Sequence, residues 1–179
     1  SAIINTFGGY EEDDLMAGIY LERIKEISKK PAEETTVLLA HGSSDDQIEV
    51  LRKKKMKDHI HWIQKQFTPQ FKNIKDMSLR EDWPDKREKA LKEIKNIIDE
   101  GNKSGKVIVI SNRLYGSGPY NYFLKGLNFE MNSKGLAPHP NLTRWLEKGI
   151  GSVIKNNFSN QVLNQNSNNL KITASSVTR

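Results

Sequence analysis

Two rhythms of apolar positions alternate along the chain. In "DDLMAGIYLERIKEISKKP", Met16, Tyr20, Ile24 and Ile27 recur at helical spacing, behind Asp13 and Asp14 and ahead of Pro31. That spacing predicts a helix over 13–29. "TTVLLA" follows as a short apolar strand, continuous over 37–40. Residues 44–67 return to a helical period through Ile48, Leu51, Met56, Ile60, Ile63 and Phe67. "FKNIKDMSL" is a weaker strand. Pro84 opens a third helix at the favoured first-turn position. Ala90, Leu91, Ile94, Ile97 and Ile98 line one face of it, and Gly101 or Gly105 ends it. "KVIVIS" is a clear strand, apolar over 107–110. The turn-rich "NRLYGSGPY" leads to a short helix and a fourth strand near "LNFEM"; "PNLTRWLEKGIGSVIK" forms the last helix.

Strands alternating with helices predict an α/β fold, a parallel sheet with helices on both faces. The strands at 37–40 and 107–110 are apolar at every position, as burial on both faces requires. No repeat with a period of 20–50 residues is present. One domain over 13–155 is expected, between an N-terminal arm (1–12) and a polar, Asn- and Ser-rich tail (156–179) expected to be flexible.

Composition narrows the function classes. The chain has 179 residues, one domain's worth, and no cysteine, which excludes disulfides and thiolate metal sites. No apolar run reaches the ~20 residues of a membrane span, and no signal peptide is visible in "SAIINTFGGY". A cytoplasmic protein is expected if no upstream signal was removed. The formal charge of +6 favours an acidic partner. Much of it sits in "LRKKKMKD", either a solvated helix face or a phosphate or polycarboxylate patch. No aromatic-rich nucleic-acid motif accompanies it, so no nucleic acid is expected.

Ligands of open parallel sheets bind at the carboxyl ends of the strands. His41 directly follows its strand and is expected to enter that crevice. Gly42 lets the chain turn, Ser43 or Ser44 can cap the next helix, and Asp45 and Asp46 suit its first turn. The positive helix end disfavours an imidazolium, so His41 is expected neutral, as a metal ligand or proton acceptor must be. Otherwise it merely closes a loop. "SLREDWP" brings Arg80, Glu81 and Asp82 to the neighbouring strand end. The carboxylates can hold a metal or take protons and Arg80 can fork onto a substrate carboxylate, or all three cap the helix at Pro84. Gly116, Ser117 and Gly118 can offer backbone N–H groups to an anion or simply form a turn. Tyr115, Tyr120 and Tyr122 add flat surfaces. His59 and His61, two apart on a helix, face different ways and cannot share one ion. His139, in a proline-stiffened loop entering the last helix, either reaches the crevice or is structural, and the structural reading is preferred. No Walker loop, G-x-S-x-G elbow or cysteine nucleophile is present.

"ETTVLLAHGSSDD", "SLREDWP", "KVIVISNRLYGSGPY" and "KGLAPHPNLTRWLEKGI" occur in an order that resembles the sirohydrochlorin cobaltochelatase family, the class II tetrapyrrole chelatases. The resemblance covers about residues 12–150. It implies a flavodoxin-like half-unit with a four-stranded parallel sheet, paired with a second unit as a homodimer or with an upstream domain. It implies insertion of cobalt (in relatives iron or nickel) into an acidic tetrapyrrole, with no nucleotide. His41 matches the family's metal-binding and proton-accepting histidine, and Glu81 stands near its acidic position before the proline. The loop "YGSGPYNY" lacks the family's usual second histidine, so the chain resembles the C-terminal half of two-unit members. The helix at 13–29 is then expected to pack beside the sheet through Met16, Tyr20, Ile24 and Ile27.

Overall fold

The protein is described by a computed structural model over residues 13–155. The expected arm at 1–12 and tail at 156–179 lie outside the described residues. Within them the chain folds as an α/β unit: a three-stranded parallel sheet flanked by helices. Helix α1 (Asp14–Lys25) precedes β1 (Thr35–Ala40), α2 (Asp46–Gln66), β2 (Asn73–Ser78), α3 (Pro84–Asn102), β3 (Val107–Asn112) and the short α4 (Tyr120–Phe123). A last helix, α5, runs from 140 to 155. The strand order is β2-β1-β3.

All six residues of β1 and of β3 are buried, and their side chains alternate between two apolar cores. Leu38, Ile108 and Ile110 meet α1 and α2 through Met16, Tyr20, Ile24, Met56 and Ile63. Val37, Leu39, Val107 and Val109 meet α3 and α4 through Ile94, Ile98, Tyr120 and Leu124. Helix α1 therefore packs through Met16, Tyr20 and Ile24 as its spacing predicts, but it ends at Lys25, short of the expected 29, and Ile27 lies partly buried in the turn beyond it.

The expected fourth strand at 127–131 is corrected to a single parallel bridge, Ile108 to Glu130. Val109 N–H donates to Glu130 O and Glu130 N–H to Val107 O, both at 2.9 Å. No second residue of the segment pairs with β3. Asn128 O accepts from the Asn102 side chain, and Asn132 Oδ1 accepts from Lys134 N–H in a turn. Leu127, Phe129 and Met131 still pack against the α3-side core.

Helix α2 departs from its expected apolar face. Its buried line is Glu49, Arg52, Met56, His59 and Ile63, while Ile48, Val50 and Leu51 are exposed. Leu51 falls about 140° round the helix from Met56, and the polar part of the inward face is matched by Asp76 on β2. It faces α2, and Arg52 meets it with two parallel hydrogen bonds of 2.7 Å. Burial raises the Asp76 carboxyl above its ordinary value, against the opposing pull of the guanidinium.

The first helix clasps the end of the domain. Arg23 donates to Gly135 O and Pro138 O, both at 3.0 Å. His139 is buried; its Nε2 lies 2.7 Å from Glu22, and its Nδ1 accepts from Asn141 N–H at the start of α5. Asn141 in turn donates to Leu15 O, and Lys148 reaches Asp13. His139 is thus structural, as its loop suggested.

His59 is buried against Tyr20, with ring centroids 5.9 Å apart. Desolvation lowers its pKa below 6.5, against the pull of Asp14, Asp58 and Asp13. The unfolded chain therefore binds this proton more readily, and stability rises with pH through the region below 6.5. Urea unfolding of the wild type is expected to show stability falling as pH drops through that window. In His59→Phe the same pH dependence is expected to flatten.

Candidate metal centre

Register brings the site together. Ala40 pairs with Ser78 on one side and with Asn112 on the other, so the three strands end on one line. The residues that follow, His41, Leu79 and Arg113, leave that line together. Leu79 N–H donates to Ala40 O and Arg80 N–H to His41 O, which carries the pairing past the strand ends. Arg80 then turns with φ 55°, sending Glu81 and Asp82 back across the sheet edge toward His41.

His41 Nε2 lies 2.9 Å from Asp82 Oδ2 and 3.5 Å from Glu81 Oε1. The three side chains form a grouping able to hold a metal ion, with one ligand atom from each, all within 4.8 Å of one another. The ring is fixed from behind, because Nδ1 lies 2.8 Å from Gly42 O. A carbonyl only accepts, so Nδ1 carries a proton. Nε2 then faces two carboxylates. Trp83 packs edge-on against the imidazole at 5.6 Å and limits its rotation.

Glu81 is 9% exposed, and Asp82 67%. Arg113, just past β3, reaches Glu81 Oε1 at 2.5 Å. Glu81 Oε2 is buried without a hydrogen-bond partner among the described residues. Neither acid caps α3, whose N-cap is Trp83 with no side-chain hydrogen bond. Their carboxylates turn to His41 and Arg113.

The loop that carries His41 is tied down on every side. Asp45, not Ser43 or Ser44, caps α2, accepting from Gln47 N–H and Ile48 N–H. Glu49 reaches back to accept from Ser43 N–H at 2.9 Å. Arg80 donates to Ser43 O and Ser44 O and pairs with Asp46 at 2.6 Å. The fork expected to meet a substrate carboxylate thus already holds this loop. Gly42 sits at φ 88°, where a Cβ would come within 2.8 Å of Ser78 Cβ and 2.9 Å of Arg80 Cγ.

A cleft of about 380 Å³ opens beside His41, lined in part by Ile48, Leu51, Lys55 and Asn112. The loop after β3 lies at the same sheet edge and exposes Leu114 and Tyr115. Gly116 and Gly118 both have positive φ. Gly116 O accepts from Ser111 Oγ, and Gly118 makes room for the Arg113 stem, so both have structural work beside any anion binding. Ser117 lies between them. Tyr120 is fully buried under Arg113, and burial raises its phenol well above the ordinary value. The flat exposed surfaces are Tyr115 and Tyr122.

Sequence reasoning placed His41 and Glu81 here and named Asp82 as a possible ligand, but missed Arg113. The signal for Arg113 was its place directly after β3, whose first four residues are apolar. Comparison with family models, curated proteins and solved structures gives no match, so function is read from the geometry. Gly42→Ala is expected to cost about 1–2 kcal/mol from the positive φ alone, before the close contacts are added. Urea denaturation measures that loss. Divalent-metal titration is expected to show weakened binding in the same variant.

Proposed function

We propose that this protein is a chelatase-like unit that inserts a divalent metal, cobalt foremost, with iron or nickel as alternatives, into an acidic tetrapyrrole such as sirohydrochlorin. The observation that carries this reading is the convergence of His41, Glu81 and Asp82 at the carboxyl edge of a parallel sheet. One imidazole and two carboxylates suit a borderline divalent ion. The metal is substrate here, and no nucleotide is needed. Two pyrrole protons must leave as the ion enters, and His41 is the base nearest the carboxylates. The exposed Ile48 and Leu51 give the cleft an apolar wall for a flat ring, and Lys55 lines the same cleft. Among the described residues no helix is long and apolar enough to cross a membrane.

The test is cobalt insertion followed by the change in tetrapyrrole absorbance. His41→Ala is expected to lose at least about 10²-fold in rate, the low end of a general-base contribution. Equal rates in variant and wild type would remove His41 from the reaction.

A second reading makes the chain a binding half that needs a partner unit. It is favoured by the small donor set, one histidine with two carboxylates, and by the exposed apolar side chains beside the cleft. Ile48, Val50, Leu51, Leu114 and Tyr115 are all more than half exposed. Sedimentation at micromolar concentration is expected to show a two-unit species when the chain is active. A monomer that inserts metal at full rate defeats this reading, whereas an inactive monomer that binds the tetrapyrrole supports it.

A further inference from the structure

Glu81 holds a guanidinium on the same oxygen that faces His41. Its Oε1 lies 3.5 Å from His41 Nε2 and 2.5 Å from Arg113 Nη1. Glu81 is mostly buried, so solvent screens the pair weakly. Arg113 is no loose surface cation. Its backbone carbonyl accepts from Leu136 N–H at 2.8 Å. Its stem crosses Gly118, where a Cβ would come within 2.5 Å of Arg113 Cδ. Its guanidinium lies over the Tyr120 ring, 5.9 Å from the centroid. The loop after β3 is therefore shaped around a fixed positive charge aimed at Glu81.

A divalent ion held by His41, Glu81 and Asp82 shares the Glu81 carboxylate with that charge, whichever of its oxygens it meets. Two cations on one carboxylate repel, and each receives less of its negative charge. We propose that Arg113 is an attenuator of the metal centre, a fixed charge that lowers its affinity for a divalent cation so that the ion is held briefly and released. This rests on the reading of His41, Glu81 and Asp82 as the metal-holding group. It makes Arg113 a positioning residue of a particular kind, because it acts against retention of the ion. Were Arg113 there only to orient Glu81, removing it would weaken metal binding. The attenuator predicts the opposite sign.

The experiment is calorimetric titration of the wild-type chain with Co²⁺, repeated on Arg113→Gln, Arg113→Met and Arg113→Lys. His41→Ala and Glu81→Gln serve as references, and melting curves check folding. Arg113→Gln and Arg113→Met are expected to bind about tenfold tighter, some 1.4 kcal/mol. Arg113→Lys, whose shorter stem draws the charge back from Glu81, is expected to fall between them and the wild type. Release of Co²⁺ to a chelator, followed by stopped flow, is expected to slow in the same order. In Arg113→Gln combined with Glu81→Gln the gain is expected to vanish. If the neutral variants bind no tighter than the wild type while His41→Ala still abolishes binding, the attenuator is overturned and the metal centre stands. Should both neutral variants fail to fold, Arg113→Lys decides, and binding no tighter than the wild type overturns the proposal. If His41→Ala and Glu81→Gln both bind as the wild type does, the metal reading fails and takes this proposal with it.

Discussion

A carboxylate in the sheet sets the rotation of the longest helix. Asp76 faces α2 from β2, and a buried charge needs a partner. Arg52 supplies it with a two-pronged contact, and Glu49 lies 3.5 Å from the same guanidinium. Breaking such a pair by removing one member typically costs about 3–5 kcal/mol. With Arg52 and Glu49 turned inward, Ile48 and Leu51 must turn outward. The apolar wall of the cleft therefore stands on the side of α2 turned away from Met56, Ile63 and this ion pair. Glu49, held in the same arrangement, also reaches the loop behind His41 through Ser43 N–H. One ion pair thus links the helix, the cleft and the candidate centre.

The centre itself follows from the sheet register. Ending three strands on one line brings three turns to the same edge. Each turn then contributes a different kind of group: the imidazole after β1, the acids after β2 and the guanidinium after β3. Arg80 holds the first two turns together, through its backbone N–H and through the Ser43 and Ser44 carbonyls. It does so from a left-handed backbone conformation, which non-glycine residues adopt at a cost of about 1–2 kcal/mol.

Much of this order is legible in the residue pattern, because continuous apolar runs and helical periods are direct signatures of burial. The boundaries expected for α2 and α3 differ from the observed ones by a few residues at most. The face of α2 was not legible. Ile48 and Leu51 suggest a helical period, but Leu51 falls about 140° round the helix from Met56, and the inward places beside Met56 go to Glu49 and Arg52, whose partner Asp76 is distant in sequence. The segment at 127–131 has the alternation of a strand, but it pairs through one bridge only, and the Asn128 carbonyl goes to the Asn102 side chain instead. His41 could be placed from position alone, since it follows a buried strand. The roles of Arg80 and Arg113 depend on which acceptors lie within reach, which spacing does not encode.

The clasp between α1 and the end of the domain also bears on how the chain reaches its folded state. Arg23 and Gly135 are 112 positions apart, Glu22 and His139 117, and Asp13 and Lys148 135. Contacts this distant reward the chain only after a long loop has been closed, and topologies rich in them fold slowly. During synthesis α1 leaves the ribosome ahead of the other described elements, with Tyr20 and Ile24 still uncovered by the segments that seal them. The face it shares with α5 closes last, when nearly all the described chain has been made. For that interval an amphipathic helix stands partly open, a moment when a chaperone or a neighbouring nascent chain meets the apolar surface the finished protein hides.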